Sequence, residues 1–202
     1  MYAFTPNRRL RSRLIGLTLL VLLGLHAGAE GAGPSTQFVI DGDVTNPATY
    51  TLAGLQALPA TTLPVEFVAG TSTQQHTYTG VDLWTLVNGA GIVTNPRVKN
   101  DILRKYVVAT GSDGYKAAFS LGELNPSFGN QPDIVAYEAN GALLTDNGFA
   151  RIVAPDDVKA GRYVSNLISL EVLHAAPVPE PETGVLLAVG LLALALRRRL
   201  PH

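Results

Sequence analysis

Short apolar or alternating runs, separated by turn-forming glycine, proline and asparagine, fill residues 37–174. Apolar residues at helical spacing predict two short helices, over residues 51–58 and 82–87. In the last apolar run, Ile168, Leu170 and Val172 are expected to lie on one face of a strand. Runs rich in β-branched and aromatic residues predict eight strands in all: residues 38–40, 65–69, 106–110, 115–120, 133–138, 142–144, 150–153 and 167–173.

Two pairs of these strands have the pattern of β-hairpins. Residues 111–114 (GSDG) form a glycine turn between two β-rich runs, and Asn140 and Gly141 separate residues 133–138 from residues 142–144. Asn-Gly best tolerates the positive φ angles of a type I′ turn. Many strands with few short helices indicate a single α+β domain that is β-rich, with an antiparallel or mixed sheet.

Both ends of the chain differ in composition from this middle part. Near the N-terminus, four arginines precede an apolar run, residues 14–25, and the small residues 27–29 (AGA) follow. A helix of about 12 residues would be about 18 Å long, too short for a hydrocarbon core of about 30 Å. Residues 1–29 are therefore interpreted as a signal peptide cleaved near Ala29. The pair Arg8 and Arg9 fits either an ordinary basic start or a twin-arginine export signal.

At the C-terminus, residues 178–182 (VPEPE) precede an apolar run, residues 184–196, which three arginines close. Prolines disfavour helix in the first part, and arginines tend to stay on the cytoplasmic side of a membrane. Residues 177–202 resemble the PEP-CTERM sorting tail of Gram-negative bacteria. The resemblance implies export to the periplasm, cell surface or extracellular matrix, a transient membrane anchor and processing by an exosortase-type enzyme. A permanent C-terminal anchor is the alternative.

Charge and cysteine content exclude several classes of function. Residues 30–178 hold 14 acidic and 8 basic side chains, an excess of six negative charges that argues against nucleic-acid binding. The chain has no cysteine, which excludes a disulfide, a thiolate nucleophile and zinc–sulfur or iron–sulfur sites. His76 and His174 have no neighbouring histidine or carboxylate at metal-ligand spacing, so no metal site is predicted.

Several segments of the middle part follow one another in a familiar order. Residues 136–144 (AYEANGALL), 147–155 (NGFARIVAP) and 161–167 (GRYVSNL), preceded by shorter matches at residues 40–47, 80–83 and 112–115, resemble the molybdopterin-binding domain of the sulfite oxidase family. The resemblance covers about 135 residues. It implies that residues 30–176 form a mixed α+β domain for a molybdenum-bearing pterin, whose metal is held by one protein cysteine.

The sequence departs from that family at the residues that would hold the cofactor. Residues 65–73, the region that matches the cysteine, contain no thiol, and Asn147 and Ser165 stand where the family has a histidine and a lysine. Arg151 and Arg162 do match, and the resemblance implies that they contact the cofactor's phosphate while Tyr115 lines the pocket. The alternative is that each arginine caps a strand or pairs with a nearby carboxylate, namely Asp156, Asp157 or Glu171.

Two hypotheses for the function follow. In the first, the protein is an exported molybdopterin-binding-type domain, similar to oxidoreductases but without metal-based catalysis because the ligating cysteine is absent. In the second, it is a non-catalytic matrix or surface protein that binds polysaccharide or protein. The resemblance to the family supports the first hypothesis, and the missing cysteine supports the second.

Overall fold

The computed structural model describes residues 33–175 and, beyond them, Leu187, Val189 and Leu191. The predicted signal peptide and most of the predicted sorting tail lie outside the described residues. Among the described residues, no helix is both long and apolar enough to cross a membrane.

Five strands form a first, mixed sheet. The first and the last strand of the domain pair with each other in parallel, and the other three pairs of neighbouring strands are antiparallel. In spatial order the strands are β2 (Ala48–Thr51), β1 (Gln37–Gly42), β10 (Leu167–His174), β5 (Lys105–Gly111) and β6 (Lys116–Ser120). The first and last parts of the domain therefore meet in the middle of this sheet.

A second sheet is antiparallel throughout. Its strands are β3 (Thr61–Ala69), β4 (Ser72–Asp82), β7 (Ile134–Ala139) and β8 (Ala142–Leu143), and β9 (Arg151–Val153) also pairs with β7. Buried residues from both sheets belong to one hydrophobic cluster. The predicted β-rich α+β domain with mixed sheet is confirmed.

Three short helices fill the connections, and local hydrogen bonds define where each begins. Helix α1 (Leu52–Gln56) begins at Thr51, whose hydroxyl accepts from the Gly54 amide. Helix α2 (Leu83–Gly89) begins at Asp82, which accepts from the Thr85 amide at 2.8 Å. Helix α3 (Leu121–Leu124) begins with a capping box. Two 3-10 turns, Asp101–Arg104 and Ala160–Arg162, complete the domain.

Both predicted hairpins are present. Strands β5 and β6 are antiparallel neighbours, and so are β7 and β8. Asn140 and Gly141 have φ angles of 52° and 80°, the positive values that a type I′ turn requires.

One predicted face is wrong. Leu170 and Val172 are buried as expected, but Ile168 is 39% exposed, whereas Leu167 is fully buried. The register between β10 and β5 shifts between Leu167 and Ser169. Because a bulge inserts one residue into a strand, it reverses the alternation of faces on one side of the insertion.

The sequence pattern also missed most of one long hairpin. Strand β4 was not predicted, and β3 begins four residues before the predicted run. The first half of strand β4 is polar and lacks the apolar alternation of a typical strand. Its residues Thr73, Gln75 and Thr77 are exposed to solvent. Pro64 lies in β3, which is an edge strand and so tolerates the missing amide hydrogen.

Candidate functional site

A cavity of about 260 Å³ lies where β7, β8 and β9 meet the segment that precedes β10. Arg151, the first residue of β9, lines it together with Asn147, Gly148, Ser165 and one carboxylate residue, Asp146. The tertiary structure thus gathers Arg151 and the two positions at which the sulfite oxidase family has a histidine and a lysine.

One wall of this cavity is held in place by contacts between segments far apart in the sequence. Asn166 accepts a hydrogen bond from the Ser35 amide at 2.5 Å, and its side-chain amide donates to the Gly33 carbonyl and to Ser112. Gly148 packs so closely against Asn166 and Ser35 that a Cβ atom at this position would overlap both side chains. The cavity therefore depends on the N-terminal segment of the described domain being docked.

Arg151 is half-buried between two tyrosine rings. Its guanidinium carbon lies 5.5 Å from the ring centre of Tyr78 and 5.9 Å from that of Tyr163, and Nη1 lies 3.5 Å from the Tyr78 hydroxyl. Its Nε is buried without a hydrogen-bond partner. Among the described residues, no carboxylate forms an ion pair with Arg151. Aromatic faces attract the cation but leave its N–H donors unsatisfied, so the group can bind an anion.

Tyr163 contributes a second unsatisfied polar atom beside Arg151. Its hydroxyl oxygen is buried without a hydrogen-bond partner. Burial, and to a lesser extent the neighbouring Tyr78, raises the pKa of Tyr163 well above its ordinary value. Tyr163 is therefore a neutral phenol at physiological pH and keeps its proton as a potential donor.

Arg162 lies in a different environment. Its Nε and Nη2 donate to the two carboxylate oxygens of Asp157 at 2.9 and 2.6 Å, and Nη1 lies 3.7 Å from Glu123. Its guanidinium carbon also lies 5.0 Å from the ring centre of Phe119. Such a two-point pair is what a stabilising arginine forms with a carboxylate. Arg162 does not line the cavity of Arg151.

Tyr115 lies near Arg162 rather than near Arg151. Its ring is 50% exposed, and its hydroxyl donates to the carbonyl oxygen of Gly161. The three predicted site residues thus fall into two groups, with Arg151 alone in the cavity and Tyr115 beside the Arg162 loop.

One ionisable group near Arg162 is not identifiable from the sequence pattern. Asp133 is only 3% exposed. Burial raises the pKa of its carboxyl to about 7, against the opposing effect of Arg162 and with smaller contributions from Asp157, Glu123 and Asp156. The only sequence signal is its position immediately before the apolar run of β7, which suggests that the strand begins deep in the fold.

The metal end of a molybdenum cofactor does not fit this chain. The region that matches the family's cysteine, residues 65–73, forms the tip of the β3–β4 hairpin and contains no thiol. Within residues 33–175, no group of three histidine, aspartate or glutamate side chains is arranged to hold a metal ion. The phosphate end fits better, because Arg151 lines a cavity and forms no ion pair with a carboxylate among the described residues.

These features define a class: a cysteine-free mixed-sheet domain with a cavity that one arginine lines. Residues 31–176 match the family model described as the oxidoreductase molybdopterin-binding domain, and the chain belongs to this family. Residues 177–199 match the PEP-CTERM protein-sorting motif, which indicates export in Gram-negative bacteria.

Comparison with whole proteins adds support for the fold. The crystal structure of the sulfane dehydrogenase SoxCD from Paracoccus pantotrophus is similar, with a TM-score of 0.58 and 21% sequence identity. The match covers 76% of this chain and 43% of the SoxCD chain, so this protein spans less than half of that neighbour. No curated protein matches the sequence significantly.

Proposed function

We propose that this protein is an exported member of its family that binds an anionic, phosphate-bearing pterin such as molybdopterin through Arg151 and carries out no metal-centred catalysis. The observation that carries the proposal is the environment of Arg151, a half-buried cation that lines a cavity and has no carboxylate partner among the described residues. Leaving its N–H donors unpaired in a partly buried site is costly unless a ligand or water binds them.

The donor set of the cavity limits how tightly a phosphate binds. Arg151 supplies the charged fork, whereas Ser165 and Asn147 offer neutral hydroxyl and amide donors. Hydrogen bonds from charged donors are about twice as strong as neutral ones. We therefore expect weaker retention of the group than a site with additional cationic side chains would give. Contacts from Arg162 and Tyr115 to the ligand stay predictions. For Arg162, such a contact requires that its hydrogen bonds to Asp157 are replaced by hydrogen bonds to the ligand.

The absence of metal-centred catalysis rests on donor chemistry. A thiolate is a charged, polarisable ligand, and no side chain of residues 65–73 replaces it. The serine and threonine hydroxyls of this region are poor substitutes because they are not ionised at neutral pH.

The test is to express the complete sequence in a molybdenum-replete host and to purify the exported protein. Bound pterin is measured by fluorescence after oxidation, and molybdenum by elemental analysis. We expect the wild-type protein to hold less than one pterin per chain. The pterin content should fall at least fivefold in Arg151→Gln. Arg97→Gln, a change at an exposed arginine, is the control and should leave the pterin content unaltered. Protein without pterin refutes the binding proposal, and one molybdenum per chain refutes the absence of a metal centre.

Processing of the sorting tail is part of the same proposal. The match at residues 177–199 supports a transient membrane anchor that an exosortase-type enzyme removes. Intact-mass measurement of the protein from its native host should show loss of the C-terminal residues. A full-length C-terminus in the mature protein would count against processing.

A second candidate function is a non-catalytic matrix or surface role, favoured by the complete absence of cysteine together with the sorting motif. It predicts that the purified protein is retained on polysaccharide secreted by the same cells. Full recovery in the unbound fraction would refute this alternative.

A further inference from the structure

Three Asn-Gly pairs occur in the chain: Asn88–Gly89, Asn140–Gly141 and Asn147–Gly148. In such a pair the amide nitrogen of the glycine can attack the side-chain carbonyl carbon of the asparagine, because glycine has no side chain that hinders the approach. All three asparagines are exposed to solvent, so exposure does not distinguish them. Their local structures differ, and this difference predicts which of them reacts.

The reaction needs no reactant other than water. The glycine nitrogen loses its proton and bonds to the asparagine Cγ, and the side-chain nitrogen leaves as ammonia with that proton. The product is a five-membered succinimide ring. Water then adds to one of the two ring carbonyls and opens the ring, which gives either aspartate or isoaspartate. Both products carry a carboxylate in place of the neutral amide, and isoaspartate also lengthens the main chain by one methylene group.

Hydrogen bonds hold the Asn140 side chain away from this reaction. Its Oδ1 accepts from the Thr77 amide at 2.9 Å, and its Nδ2 lies 3.0 Å from His76 Nδ1. Attack requires the Asn140 Cγ to turn towards the Gly141 nitrogen, which breaks both bonds. Two hydrogen bonds of ordinary strength slow such a step about tenfold or more.

The backbone protects Asn88. This residue lies in helix α2, and its carbonyl oxygen accepts from the Gly91 amide at 2.9 Å. The succinimide ring closes only when ψ of the asparagine leaves the helical range, so the last turn of the helix would have to open first. Buried Leu86 and Val87 stabilise this turn.

Asn147 has neither kind of protection. It lies in the connection between β8 and β9, outside any helix or strand. The neighbouring Thr145 hydroxyl donates to Asp146, but no hydrogen bond between described residues involves the Asn147 side chain. The following residue has to be glycine, because φ of Gly148 is 78° and a Cβ atom there would overlap Asn166 and Ser35. The fold therefore retains a reactive pair at this position.

From these differences we infer that Asn147 is a site of spontaneous deamidation, whose product alters the cavity of Arg151. Among the residues that line this cavity, the charged ones are Arg151 and Asp146, which sum to zero. A carboxylate at position 147 makes the sum −1 and repels an anion. Isoaspartate also displaces the main chain beside Gly148, which has no room to move against Asn166.

The effect on a bound pterin rests on the proposed function, whereas the deamidation itself does not. The first experiment therefore follows the chemistry alone. The exported protein, expressed from the complete sequence, is incubated at neutral pH and physiological temperature, and samples are digested at mildly acidic pH to avoid reaction during digestion. Mass spectrometry of the peptides measures the loss of each asparagine. We expect Asn147 to react at least about tenfold faster than Asn88 and Asn140. Equal rates at the three sites, or faster loss at either of the others, would overturn the inference.

Two variants test the reasons for this selectivity. Asn147→Gln keeps a side-chain amide but would have to close a less favourable six-membered ring, so no product should form at position 147. His76→Phe preserves the stack on Phe67 and removes one hydrogen bond of Asn140, so deamidation at Asn140 should become about fivefold faster. An unchanged rate at Asn140 would refute protection by these hydrogen bonds.

A comparison of Asn147→Asp with Asn147→Gln measures the effect on the cavity. The pterin content of the Asn147→Asp protein should be at least about fivefold lower, because the two side chains differ chiefly in charge. Equal pterin contents of the two variants would refute the effect on the cavity. Absence of pterin from the wild type would refute the proposed function instead, and the peptide mapping would still decide whether Asn147 is the modification site.

Discussion

Asp133 is the group whose replacement tests the interior of this structure most sharply. The residue is 3% exposed, and burial, outweighing the attraction of Arg162, raises the pKa of its carboxyl from 3.8 to about 7. Asp157, Glu123 and Asp156 add to the increase by repulsion. The folded protein therefore holds a proton on Asp133 at pH values at which the unfolded chain has already released it.

The sign and size of the effect on stability follow by linkage. A carboxyl with a raised pKa in the folded state contributes its full stability below about pH 4, and this stability is lost as the pH rises to about 7. A difference of about three pKa units, at about 1.4 kcal/mol for each, corresponds to about 4 kcal/mol between these limits. Asp133→Asn places a neutral side chain of the same shape in the site and removes this dependence.

The assay is urea denaturation of the wild type and of Asp133→Asn at several pH values from 4 to 8.5. We expect the variant to gain stability over the wild type as the pH rises, by up to about 4 kcal/mol at the upper limit. Asp41→Asn, a change at an exposed aspartate, should show no such trend. A difference between Asp133→Asn and wild type that stays constant across the range would show that the carboxyl is not buried as described.

Three further substitutions test other parts of the fold by denaturation. Gly80→Ala should lower the free energy of unfolding by more than about 3 kcal/mol, because its Cβ would overlap the backbone of strand β7. Gly89→Ala is the control: open space surrounds this residue, so the change should be at most about 1 kcal/mol. Equal effects of the two variants would contradict the packing at Gly80. Asn140→Ala should cost about 1–2 kcal/mol through its lost hydrogen bonds, and no loss would disprove their contribution. Asp157→Asn should lower the free energy of unfolding by about 1–2 kcal/mol, because it weakens the pair with Arg162. A double-mutant cycle with Arg162→Gln should show a coupling energy that falls as the salt concentration rises. Additive effects of the two substitutions would mean that the pair is not formed.

Local features of this protein were readable from the sequence. Asn140 and Gly141 specify the β7–β8 turn because both tolerate positive φ, and Asp82 begins helix α2 because its carboxylate accepts the orphan amide of Thr85. These interactions span two to four residues, so the residues that make them are neighbours in the chain. The order of the motifs in residues 136–167 likewise indicated the family that the match at residues 31–176 shows.

Strands that owe their place to distant partners were harder to predict. The polar first half of β4 looks like a loop in sequence, and it forms a strand because β3 pairs along all of it. Ile168 was expected inside, but a bulge against β5 turns it outward. Periodicity assumes an unbroken strand, and a bulge is decided by the partner strand.

The sequence by itself determined the class of the domain, the sorting motif and the lack of a thiolate, because composition and local order do not depend on folding. Only the tertiary structure decided the environments of the charged groups. Arg151 and Arg162 are alike in sequence, yet one faces a cavity between two tyrosines and the other is bonded to Asp157. The energy of a charge depends on its distance to other charges and on its access to water, and both are set by residues far away in the chain.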